Sequence, residues 1–219
     1  MNNKINIAID GPAAAGKSTI SKRVAEELNY IYIDTGAMYR AITLLYIENG
    51  KDIINNLSDV EITFKREDTN RVFLNSRDVT DAIRSQAVTG KVSEVSSFEM
   101  VRSYLVAMQQ KIGLEKGVVM DGRDIGTTVL PDAELKVFMQ ASPRVRAERR
   151  LVEEKGRGND IDLDQLTSQI IKRDELDMNR EISPLVQADD AILLDTTELS
   201  IEEVEDHILH LAKQKIGVE

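Results

Sequence analysis

Residues 11–18 read Gly11-Pro12-Ala13-Ala14-Ala15-Gly16-Lys17-Ser18 and match G-x-x-x-x-G-K-[ST] in full. No other feature of the 219-residue chain constrains its fold so tightly. Such a loop needs a strand before it and a helix after it. Both flanks are present. The apolar run Ile5–Asp10 precedes it, and Ser18–Leu28 follows with Ile20, Val24, Ala25 and Leu28 on one helical face.

Four further apolar segments end in acidic or turn residues: Tyr30–Asp34, Val118–Asp121, Leu135–Met139 and Ala191–Asp195. Helical patterns lie between most of them, and Ile201, Val204, Ile208 and Leu211 form another stripe behind the capping-box pair Ser200 and Glu203. The alternation predicts an α/β fold, a doubly wound, five-stranded parallel sheet with helices on both faces and a ligand site at the carboxyl ends of its strands. We expect one domain over 1–219, with two stretches that depart from plain alternation. In 35–115, Val60–Lys65, Arg71–Asn75 and Asp78–Thr80 read as short antiparallel strands around an Asp68-Thr69-Asn70 turn. They form a β insert at about 60–84, followed by an amphipathic helix near Val88–Ile112. In 142–180, Ser142-Pro143 starts a helix and Gly156-Arg157-Gly158-Asn159 makes a charged turn, the pattern of a short helical lid.

Composition removes several function classes. Acidic residues outnumber basic ones 38 to 28, and aromatics are 4% of the chain, which argues against a nucleic-acid binder. Cysteine is absent, excluding disulfides, thiolate metal sites and thiol nucleophiles. The first apolar run is too short for a membrane span, so no membrane partner and a cytoplasmic location are the expectation. The two histidines, His207 and His210, lie far from every motif and read as packing or surface residues.

The motifs carry phosphate chemistry. The glycines of the 11–18 loop let main-chain N–H groups turn around a β-phosphate, and the helix that follows adds its positive end. Lys17 can reach the β- and γ-phosphates, and Ser18 offers a hydroxyl to Mg2+. Asp121 stands where an acid would organise the cation through its waters. Asp34-Thr35-Gly36-Ala37-Met38-Tyr39-Arg40 brings a hydroxyl and a guanidinium to the end of the second strand, a combination that would hold a second phosphate. Leu166, Ile170, Arg173, Asp177 and Arg180 share one helical stripe that begins apolar and turns ionic. An anionic ligand would offset the cost of such charges in a cleft, and an internal ion-pair set would do the same. Among the arginines of 144–150, Arg146 and Arg150 are the preferred phosphate contacts, against a solvated face pairing with Glu148, Glu153 and Glu154. A GTPase switch would carry N-K-x-D after a later strand, and only Asn3-Lys4-Ile5-Asn6 comes near it.

Taken in order, the 11–19 loop through Thr19, Asp34–Arg40, Asp121-Gly-Arg-Asp-Ile-Gly-Thr127 and Arg173-Asp-Glu-Leu-Asp-Met-Asn-Arg180 with Ser183-Pro184-Leu185 resemble the bacterial cytidylate kinases over nearly the whole chain. The resemblance implies ATP-dependent phosphorylation of CMP and dCMP, with ATP as donor, Mg2+ as cofactor and a nucleoside-monophosphate-binding region beside the lid. It implies that Thr35 and Arg40 meet the acceptor nucleotide, and that Ser93, Arg102 and Asp124 recognise cytosine. Arg123 and Arg173 would stabilise the transferring phosphoryl group, Arg173 bridging donor and acceptor phosphates, and Asp177 with Arg180 would bind sugar or phosphate. A kinase for UMP or another small molecule and a nucleotide-binding switch remain the alternatives. A monomer is the expected state.

Overall fold

The computed structural model describes residues 4–66, 70–156, 158 and 160–217. The chain divides into two compact units, 33–111 and the remainder.

The larger unit is built on parallel strands: β1 (Asn6–Asp10), β2 (Ile31–Asp34), β6 (Val118–Gly122), β7 (Leu135–Gln140) and β8 (Ile192–Asp195), in the order β2-β6-β1-β7-β8. Strand β2 enters the smaller unit after Tyr32. The central strands β1, β6 and β7 are buried almost throughout, as expected of a sheet covered on both faces. Their register is tight: Asp10 stands opposite Gly122 and Phe138, and Gln140 opposite Asp195. The chain therefore turns out of the sheet at one edge after every strand. One core cluster joins Ile7, Ile9, Val137 and Met139 of the sheet to Ile20 and Val24 of α1 (Lys17–Glu27) and Val204 and Ile208 of α7 (Ile201–Ile216). Helix α7 is specified at both ends. Ser200 and Glu203 close a reciprocal capping box, and Gly217 takes the left-handed conformation that ends the helix.

Helices α5 (Pro143–Gly156) and α6 (Leu163–Asn179) pack through Ala147, Leu166 and Ile170, with Leu151, Ile161 and Leu163 around them. Asp162 caps α6 by accepting from the N–H groups of Asp164 and Gln165. The stripe read as running through Arg180 stops one residue short: Arg180 is extended at φ −67°, ψ 144°, four residues before Pro184. Arg157 and Asn159 of the expected charged turn lie outside the described residues.

The smaller unit opens with α2 (Thr35–Asn49), whose N-terminus Asp34 caps through the N–H of Ala37. A three-stranded antiparallel sheet follows: β3 (Ile62–Arg66), β4 (Asn70–Leu74) and β5 (Arg77–Asp78). The second and third strands begin one residue earlier than their sequence patterns suggest. Asn75 and Ser76, both at positive φ, make the two-residue turn between them. Asp68 and Thr69 of the other expected turn lie outside the described residues. The single helix expected near Val88–Ile112 is two, α3 (Gln86–Val95) and α4 (Glu99–Gly113). The break has a local cause: Ser96 and Ser97 donate their hydroxyls back to the carbonyls of Ser93 and Glu94, which competes with helix continuation. Among the described residues no helix is long and apolar enough to cross a membrane.

Candidate active site

Loop 11–16 connects β1 to α1 under close steric control. Gly11 has φ +148°, and a Cβ there would lie 2.0 Å from the carbonyl oxygen of Met139 on β7, so only glycine fits. Gly16, left-handed at φ 87°, turns the chain into α1. Lys17 is then the first helical residue, buried, with Nζ donating to the Pro12 carbonyl at 2.7 Å. Burial pushes its amine down to about 7. The Arg123 and Arg173 guanidiniums push the same way, against Asp121 and Asp10.

Because Ile9 stands opposite Asp121, the carboxylate at the end of β6 meets the start of α1. Ser18 Oγ donates to Asp121 Oδ2 and Tyr32 Oη to Asp121 Oδ1, each at 2.9 Å. In donating its hydrogen, the Ser18 hydroxyl keeps two acceptor lone pairs. Among the described residues no three His, Cys, Asp or Glu side chains gather as a closed metal cage. Ser18 and Asp121 instead offer hard oxygens beside a phosphate-binding loop, a donor set that suits Mg2+ when phosphates and water supply the rest.

Arg123, partly buried, and Asp177, buried, form an ion pair, Nε to Oδ2 at 2.8 Å. Burial alone would raise the Asp177 carboxyl; Arg123, Arg173 and Arg180 outweigh it and hold the group below the usual carboxylate range. Arg180 reaches Asp124 Oδ1 at 3.4 Å and donates from Nε to the Ser183 carbonyl at 2.6 Å. Lys17, Asp121, Arg123, Asp124, Arg173, Asp177 and Arg180 thus share one interlinked ionic network in the larger unit.

The two arginines of α5 singled out in the sequence have different fates. Arg146 is buried and committed to the protein: Nε to the Ala141 carbonyl at 2.9 Å, and Nη1 to the Ala13 carbonyl at 2.8 Å and Asp174 Oδ2 at 2.6 Å. Arg150 pairs with Glu153 and Glu154 of its own helix; Glu153 is exposed, as a solvated face requires, whereas Glu154 is buried.

Four residues of this region carry no site role in the sequence reading, Arg149 being read there only as part of a solvated helix face. Asp10, at the end of β1, accepts from the N–H groups of Ile125 and Gly126 at 2.8 and 2.7 Å. Burial pushes it up to about 6 against those bonds. Asp174 accepts the Ala13 N–H at 3.0 Å. Tyr32 steadies Asp121, and Arg149 donates to the carbonyl and hydroxyl of Thr196. The acidic endings of the apolar runs were a signal for Asp10; nothing in the local pattern marks the other three.

In the smaller unit, Thr35 is buried at the start of α2, and Arg40 one turn on pairs with Asp34 at 3.0 Å. Arg40 Nε is buried without a hydrogen-bond partner among the described residues. Arg102 on α4 is buried, donates to the Ser96 carbonyl at 3.4 Å and stands 5.4 Å from the centre of the Tyr39 ring. Ser93 on α3 is half-buried, its carbonyl taken by Ser96.

Comparison with known proteins points in one direction. A family model described as cytidylate kinase matches residues 7–214. A cytidylate kinase of Bacillus cereus strain B4264 is 53% identical over 96% of this chain and 97% of its own length. One of Bacillus thuringiensis strain Al Hakam is 54% identical over 95% of this chain and 96% of its own length. Among solved structures, a gluconokinase from Sinorhizobium meliloti superposes with a TM-score of 0.51 at 15% identity, covering 99% of this chain and 96% of its own, a likeness of fold.

Proposed function

Since this chain belongs to the cytidylate kinase family, we propose that it transfers the γ-phosphoryl group of ATP to CMP and dCMP, giving ADP with CDP or dCDP. Within the molecule, the observation that carries the chemistry is the cationic cluster of Lys17, Arg123 and Arg173 beside the phosphate loop. Such an array of cations suits direct transfer between anionic oxygens. Cysteine is absent, and both histidines lie on α7.

An acceptor phosphate oxygen attacks the γ-phosphorus in line as the bond to the departing ADP oxygen breaks. No covalent enzyme intermediate forms. The attacking oxygen is already anionic near neutral pH, so no general base is required. Main-chain N–H groups of the loop and the Lys17 ammonium hold the β- and γ-phosphates, and the Arg123 and Arg173 guanidiniums meet the charge that spreads over the transferring group. Ser18, with Asp121 acting through water, would hold Mg2+, which would supply Lewis-acid neutralisation of the phosphate charge. Arg150 is the lid arginine assigned to the donor phosphates; its side chain is 33% exposed.

The acceptor roles are those that the family resemblance implies, and each suits the chemistry of its side chain. Arg40 takes the monophosphate, with Thr35 supplying a hydroxyl. Asp124 accepts from the N4 amine of cytosine, and Arg102 donates to N3 and O2, with Ser93 at the same base. Uracil would set its O4 against the Asp124 carboxylate, leaving acceptors facing each other unpaired. Asp177 and Arg180 take the sugar or phosphate.

ADP formation from ATP with CMP, dCMP, UMP, AMP and shikimate tests the reading. CMP and dCMP should be the best acceptors. A preference for UMP would remove the Asp124 argument, and an ATP turnover that no acceptor stimulates would remove the kinase.

A further inference from the structure

The buried Arg146–Asp174 pair does more than join α5 to α6. It grips both main-chain groups of a single loop residue: the Ala13 N–H goes to Asp174 Oδ1 and the Ala13 carbonyl to Arg146 Nη1, while Nη1 and Oδ2 close the ring at 2.6 Å. Both side chains are nearly sealed from solvent, at 4% and 10% exposure. Arg146 is itself tied to the Ala141 carbonyl at the end of the β7 segment. Beside the ring, Ala14 sits at φ 58°, a left-handed conformation that costs a non-glycine residue free energy unless its surroundings hold it. Its methyl packs on Ala147, Leu166 and Ile170. The crest of the loop is therefore clamped to the α5–α6 pair by an ion pair on one residue and apolar packing on the next.

We propose that Arg146 and Asp174 are positioning residues for the donor phosphates. They fix the Ala13 peptide, and with it the direction of the N–H groups that follow it in the loop. The Ala13 N–H points at Asp174 and is spent there, so the N–H groups that cradle phosphate begin at Ala14. The left-handed Ala14 is what turns them inward, and the clamp on either side keeps it so. Neither side chain needs to touch ATP. Asp174 also adjoins Arg173 in sequence, so the helix that carries a phosphate-directed guanidinium is the one that grips the loop. Loop and α6 then keep a fixed relation during transfer.

This inference rests on the reading that the loop takes ATP, and its test separates the two. Asp174→Ala removes the acceptor of the Ala13 N–H and leaves Arg146 unbalanced. Asp174→Asn keeps an oxygen that can still accept that N–H. In Asp174→Ala, the KM for ATP should rise about tenfold or more, with the KM for CMP within about twofold, because displacing a cradle by a fraction of an ångström is felt only by what it holds. The Ala13 amide should exchange with solvent deuterium faster, and Asp174→Asn should recover part of both effects. A folded Asp174→Ala protein with the wild-type KM for ATP would overturn the proposal, as would a CMP KM that rises in step. If Asp174→Ala does not fold, the asparagine variant decides: an unchanged ATP KM and unchanged Ala13 exchange sink the idea. If the wild-type protein shows no CMP-dependent ADP formation, the assigned reaction fails while the clamp is still read by calorimetric ATP affinity, which should drop in the alanine variant.

Discussion

Arg146 and Arg150 stand one turn apart on α5, yet the seam that holds the first and the outer face that holds the second use a guanidinium in opposite ways. At the seam, Arg146 is buried against main-chain carbonyls and a carboxylate 161 residues from the loop that carboxylate caps. On the outer face, Arg144 and Arg150 pair with Glu148, Asp164 and Glu153 at exposed positions, mostly within one helix, and Arg150 also reaches the buried Glu154. Exposed pairs of that kind contribute little to stability, because water and salt screen them and long side chains lose freedom in making them. Buried pairs cost desolvation to assemble and far more to break from one side. The ionic network around Lys17 belongs with the seam.

The contrast can be broken first at Lys17. Lys17→Ala should lower the rate of transfer by about two to three orders of magnitude or more, as loss of a main charge stabiliser does. The fold should persist, so circular dichroism beside a kinetic assay checks it, and near-normal turnover would refute the assignment.

Next comes the Arg123–Asp177 pair. Asp177→Ala removes the hydrogen-bonded partner of Arg123, leaving it only the fields of Asp174 and Asp121, and should destabilise the protein by about 1–3 kcal/mol, read as a lower urea midpoint. A change as small as that of a surface pair would erase the distinction drawn here.

Asp10 gives a pH test of similar size. Its carboxyl is raised in the folded protein from 3.8 to about 6, so the folded state holds the proton more tightly than the unfolded state does. The stability this group contributes is full below about pH 4, falls as pH rises through 6, and leaves a cost above that. A shift of about two units corresponds to about 3 kcal/mol. Urea midpoints between pH 4 and 7 should fall more steeply in wild type than in Asp10→Asn, and parallel curves would remove the buried-carboxylate argument.

The smallest effects belong to the outer face. Arg144→Ala should change stability by about 0.5 kcal/mol or less, and Arg150→Ala somewhat more, because its partner Glu154 is buried. Arg150→Ala should nevertheless raise the KM for ATP several-fold if it meets donor phosphate, whereas Arg144→Ala should leave it alone. Thermal midpoints and ATP titrations of the two variants sharpen the comparison without disturbing the seam.

How far the sequence could be read follows the range of the interactions involved. Gly11–Ser18, the apolar strands and the α7 capping box were legible because each is set by neighbours within a few residues. The break at Ser96-Ser97 was local too, yet an apolar period that continues across it masks a hydroxyl-driven stop. Tyr32 and Asp174 left no pattern, since their partners lie 89 and 161 residues away, and the acidic strand ending that marks Asp10 gives no hint of partners 115 residues on. Arg146 and Arg150 look alike in sequence at a spacing that fits either role.

From its sequence alone, this chain declared a phosphate-binding loop between strand and helix, a parallel α/β core, the order of motifs that resembles the cytidylate kinases, and the exclusion of thiol chemistry. Only the tertiary structure decided which charges are spent on the protein itself. That division is physical: local sequence sets backbone conformation and periodicity, while the environment of a charge is set by whatever distant strand ends and helices pack around it.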